Sequence, residues 1–204
     1  MAFVEGIAEE EASGALANLF AADRQLWGFL PNFASTFGLR PEVYQAWRSL
    51  NGAIKTNMDP RRYELATTAA AIELHSSYCT LAHGRILADG LMSQDDIIAL
   101  VVDPDETNLT ALDRAIVALA RKIARAADEV TAEDIEQLRQ HGLTDQDIFD
   151  VICAATARCF FSKTLDATGT TPDAFFNDLP LPLREALTVG RPIDPREDAI
   201  SERP

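Results

Sequence analysis

Apolar positions along the chain recur at the three-to-four-residue spacing of helices. Leu16, Leu19, Phe20 and Leu26 form one stripe between about Ala12 and Phe29, which Pro31 ends. A second stripe, Val43, Trp47, Leu50 and Ile54, follows Pro41, a residue suited to the first turn of a helix. The run from Tyr63 to Leu74 is dense in alanine and leucine, which predicts a buried helix with Asp59 as N-cap and Pro60 at its first position. Ser76 and Ser77 can cap a further helix over Tyr78 to Ala88, closed by Gly90. Ser93, Thr131 and Thr144 each stand three residues before an acid, the pattern of a capping box. Leu109 to Ala127 and Asp145 to Asp166 are the longest periodic segments, with Gly142 and Gly169 as stops. No segment alternates in the two-residue period of a strand between hairpin signals, so the expected fold is all-α, with seven or eight helices.

Prolines divide the chain. Only Pro104 lies between Arg61 and Thr171, whereas six of the ten prolines lie from Pro172 onward. A helical domain is therefore expected over 1–171 and a Pro-rich extension over 172–204. Phe175, Phe176, Leu179 and Leu181 make that extension too apolar for a free tail, so it is expected to pack on the domain or on a neighbouring subunit.

The 204 residues, 47% hydrophobic and 25% charged, suffice for a substantial core. A net charge of -14, with no basic stripe to offset it, repels phosphate backbones and anionic lipid. Nucleic acid and membrane surfaces are thus disfavoured as partners. The N-terminal stretch lacks the basic and apolar regions of a signal peptide, and no apolar run approaches a spanning length, so the expected location is cytoplasmic. Three cysteines, Cys79, Cys153 and Cys159, suit a reduced compartment rather than a disulfide framework.

Candidate chemistry gathers around residue 79. Cys79 and His83 are four apart, one turn along one helical face, where an imidazole can accept a thiol proton. With Ser77 as cap, Cys79 falls in the first helical turn, where free N–H groups favour the thiolate. Glu64, a carboxylate in a helix expected to be buried, requires a partner, for which Arg61, Arg62 and His83 are candidates. His75, Cys79 and His83 share a four-residue spacing, but the outer two would stand about 12 Å apart along a continuous helix, too far to share one metal ion. His75 and Ser76 read as groups around the thiol and Tyr78 as an aromatic wall. Cys153 and Cys159 are about 120° apart on their helix, so at most one can approach Cys79, and core packing is their default.

The run from Glu64 through His75-Ser76-Ser77-Tyr78-Cys79-Thr80-Leu81-Ala82-His83 resembles the signature of the alkylhydroperoxidase (AhpD) and carboxymuconolactone decarboxylase family: Glu, Cys-x-x-Cys twelve residues on, then His four further. Glu64, Cys79 and His83 match the Glu, second Cys and His without a gap, and Ser76 stands where the first Cys would be. The likeness extends from about Pro31 to Asp173. It includes Phe160-Phe161-Ser162-Lys163, similar to a Phe-Asn-Arg element of the peroxidase-related branch. The resemblance implies an AhpD-like helical bundle that forms homo-oligomers and uses no organic cofactor or metal. It also implies a peroxidatic Cys79 whose proton is relayed by His83 and Glu64, acting on a hydroperoxide. With Ser76 unable to form the family's disulfide, an external thiol would restore Cys79. Two alternatives stay open: a decarboxylase-like lyase in which His83 and Glu64 shuttle protons on a small organic acid, and a non-catalytic family member.

Overall fold

The computed structural model describes residues 2–102 and 108–195. The described residues form ten α-helices and no strand: α1 Gly14–Trp27, α2 Asn32–Phe37, α3 Pro41–Asn57, α4 Pro60–Glu73, α5 Ser77–Ala88, α6 Gln94–Val102, α7 Ala111–Ala126, α8 Ala132–Gln140, α9 Asp145–Thr168 and α10 Leu181–Leu187. The all-α expectation holds, and two short helices bounded by proline, α2 and α10, add to the seven or eight read from periodicity. Pro104 lies outside the described residues.

Helix α4 is the axis of the molecule. Every residue from Tyr63 to Ile72 is buried, and α5, α7 and α9 pack around it. Its alanines at 66, 69, 70 and 71 let those neighbours approach closely, as a helix buried on all sides requires. The starts are chemically determined: Asp59 accepts from the Arg62 N–H at 3.0 Å, and Thr110, Thr131 and Thr144 each form a capping box with the acid three residues on.

Two sequence expectations are corrected by packing. Leu26, Val43 and Leu50, assigned to inward stripes, are exposed; on α3 the buried face is instead Tyr44, Trp47 and Ile54. The face turns because α3 packs against both α1 and α9, and Tyr44 rather than Val43 faces that angle. The N-cap of α5 is Ser76, not Ser77, and its side chain makes no capping bond.

The described part of the extension, up to Pro195, lies against its own domain. Leu183 and Leu187 of α10 are fully buried, and α10 packs on α5 and α6. Beyond it, the Gly190 N–H donates to Ser77 Oγ at 2.7 Å, and a Cβ at Gly190 would stand 2.0 Å from the His75 carbonyl oxygen. This strap pins the α4–α5 turn, where His75 adopts a left-handed φ of 53°.

Candidate active site

Cys79 sits in the first turn of α5 and is only 1% exposed. The thiol meets a guanidinium from another helix: Arg158 Nη1 on α9 stands 3.4 Å from Cys79 Sγ. Arg158 is itself 4% exposed, lies beside the rings of Trp47 and Phe161 at 5.6 and 5.3 Å, and has a buried Nε with no protein partner. No carboxylate among the described residues forms an ion pair with it. Burial opposes the charge on Arg158, but Cys79 and Tyr63 more than offset this and hold its pKa above the ordinary value. The buried guanidinium thus stands against the thiol, and Glu64 feels its charge without pairing with it.

One turn along α5, His83 Nδ1 stands 2.6 Å from Glu64 Oε2 on α4. Glu64 is 2% exposed, and Lys55 Nζ of α3 approaches its other oxygen at 3.7 Å. Burial pushes the Glu64 carboxyl up, but His83, Lys55 and Arg158 together bring it below its usual range. Burial and then Arg158 push His83 down, and Glu64 only partly restores it, so the imidazole is neutral near pH 7. Its Nδ1–H then donates to the carboxylate, which leaves the Nε2 lone pair as the base. Arg61 and Arg62, the other partners considered for Glu64, pair instead with Asp113 and Asp147.

Cys79, His83, Tyr63 and Arg158 line one cavity of about 280 Å³. Its exposed lining residues, Leu26, Gly52 and Lys55, set the mouth on the side of α1 and α3. Tyr78 also lines it, but its hydroxyl is engaged: it donates to Asp173 and accepts from the Phe33 N–H at 3.3 Å. His75 is exposed and Ser76 fully buried; neither lines the cavity. Cys153 and Cys159 are half-buried on α9 away from the cavity lining, and burial raises both thiols. Among the described residues no cluster of His, Cys, Asp and Glu has the geometry to hold a metal.

Arg158 was absent from the sequence reading of the site because its meeting with Cys79 spans 79 positions. The only local signal is a single cation amid the largely apolar stretch Val151 to Phe161. Lys55 was hidden in the same way.

The carboxymuconolactone decarboxylase family model matches residues 41–122, a span that carries Lys55, Glu64, Cys79 and His83. Residues 41–122 are thus similar to that family, and the fold around them is AhpD-like. A peroxidase-related AhpD-core protein of Ralstonia eutropha JMP134 superposes with a TM-score of 0.78 at 22% identity, over 86% of this chain and 94% of that one. A peroxidase-related protein of Silicibacter sp. TM1040 gives 0.75 at 20%, over 85% and 94%. The debrominase Bmp8, solved with 2,3,4-tribromopyrrole, gives 0.68 at 16%, over 90% and 95%. No curated protein matches the sequence. The match runs from α3 to most of α7, so Arg158, on α9, stands outside the matched span.

Proposed function

We propose that the protein is a one-cysteine thiol peroxidase of the AhpD-like fold, reducing a hydroperoxide at Cys79 at the expense of an external thiol. The observation that carries this is the contact of Cys79 Sγ with the buried Arg158 guanidinium, 3.4 Å away and, among the described residues, in no ion pair with a carboxylate. A lyase using His83 and Glu64 alone would leave that contact without a role.

His83 Nε2 takes the Cys79 proton, and Arg158 and Glu64 compensate the charges that form. The thiolate attacks the distal peroxide oxygen; the O–O bond breaks, Cys79 becomes sulfenic acid, and the leaving alkoxide takes the proton from His83. One external thiol condenses with the sulfenic acid and releases water. A second displaces the first as a disulfide and restores Cys79. Such a cycle belongs in a thiol-rich, reducing compartment such as the cytoplasm.

The aromatic lining of the cavity and the likeness to a debrominase favour a second substrate for the same thiolate, a halogenated aromatic ring. The test is consumption of hydrogen peroxide and of an alkyl hydroperoxide with dithiothreitol as reductant. Cys79→Ser is expected to lower the rate at least about 10²-fold. An undiminished rate in that variant would overturn the proposal.

A further inference from the structure

The cavity is larger and more aromatic than a peroxide group requires. At about 280 Å³ it matches the small end of organic ligand pockets, and its walls include Trp27, Phe33, Trp47 and Phe161. Trp47 and Phe161 are stacked at 4.8 Å, and Phe33 meets Phe161 edge-on at 5.4 Å, so ring faces and edges both border the space. Such a lining favours a flat ring.

A second polar group, separate from Cys79, His83 and Glu64, meets the same cavity. Asp23 of α1 is 2% exposed; Tyr44 Oη donates to its Oδ2 at 2.5 Å and Arg48 Nη1 to its Oδ1 at 2.6 Å, both from α3. All three residues line the cavity. The single Tyr44 proton is committed to Asp23; the phenolic oxygen, which Arg48 also approaches, keeps a further lone pair as acceptor, and so do the Asp23 oxygens. Arg48 retains N–H donors. Burial holds the Asp23 carboxyl above its usual range even against Tyr44 and Arg48, so two donors do not fully replace its lost hydration. A third donor inside the cavity would.

We infer that the cavity binds a flat aromatic molecule bearing a hydroxyl group, whose ring lies among the tryptophan and phenylalanine rings and whose hydroxyl bonds to Asp23 and Tyr44. This names the substrate class of the proposed thiol site and rests on that reading, but its test does not use turnover. The competing role for the triad is a clamp between α1 and α3.

Both tryptophans of the chain, Trp27 and Trp47, line the cavity, so its intrinsic fluorescence reports on occupancy. Binding of 4-ethylphenol and of ethylbenzene, alike in shape but for the hydroxyl, is measured by tryptophan-selective titration of the full chain. Wild type is expected to prefer the phenol by about tenfold or more, as a site built around a hydroxyl should. Tyr44→Phe and Asp23→Asn are expected to lose most of that preference, and Cys79→Ser to keep it. Equal binding of the two probes, no binding of the phenol, or variants that melt earlier with the preference intact would each overturn the inference. Tyr44→Phe removes one oxygen only and keeps the test open should Asp23→Asn fail to fold. A peroxide-inert Cys79 with an intact phenol preference would sink the peroxidase reading and leave this one standing; the reverse pattern would do the opposite.

Discussion

Arg158 is the residue on which the electrostatics of the site turn. Its guanidinium faces Cys79 at 3.4 Å, where it can stabilise negative charge that develops on the sulfur as it reacts. Arg158→Met keeps the apolar stem and removes the charge; alkylation of Cys79 by iodoacetamide at neutral pH is expected to slow on the order of tenfold. An unchanged rate would mean that the contact is only packing. The Glu64–His83 pair yields a second expectation. His83 is held below its usual value, so it resists protonation in the folded state, while the unfolded chain takes up a proton near pH 6.5. Its stabilising contribution is present above that pH and lost as pH falls. Glu64, also lowered, contributes above about pH 4.3 and loses that contribution on further acidification. Denaturant unfolding between neutral and mildly acidic pH should therefore show stability falling with pH, and less steeply in His83→Ala. At this scale the sequence carried Cys79, His83 and Glu64 through spacing on two helices. Arg158, Asp23 and Lys55 were illegible because their partners lie in other helices.

The helices themselves were readable wherever capping chemistry and a long apolar period agreed, as at α4, α7 and α9. The misses have physical reasons. Helices α2 and α10 are of six and seven residues, too short for a period to emerge, and the face of α3 is set by α1 and α9 rather than by its own pattern. The strap after α10 is an element-scale device that holds the α4–α5 turn behind Cys79. Gly190→Ala would drive a Cβ into the His75 carbonyl oxygen and is expected to destabilise the fold by roughly 1–3 kcal/mol. Leu187→Ala, which empties a fully buried position against Gly84, should cost about 2–5 kcal/mol. Denaturant midpoints decide both; wild-type values would show that the strap rests on the domain without supporting it.

Over the whole molecule, the acidic surface and the aromatic interior divide the possible partners. With a net charge of -14 and no membrane-spanning helix among the described residues, duplex DNA should not be retained even at about 50 mM salt, where electrostatic binding is strong. Retention on a DNA column would contradict that. The candidate site lies between α3, α4, α5 and α9: α5 brings the thiol and the imidazole, α4 the carboxylate and α9 the guanidinium, with Lys55 of α3 beside Glu64. The most direct test is stoichiometric: the protein is mixed with one equivalent of hydroperoxide, dimedone traps sulfenic acid, and mass spectrometry locates the adduct. The account predicts the adduct on Cys79, absent from Cys153 and Cys159, and sharply reduced in Arg158→Met. An unmodified Cys79, or an adduct confined to the other two thiols, would contradict it.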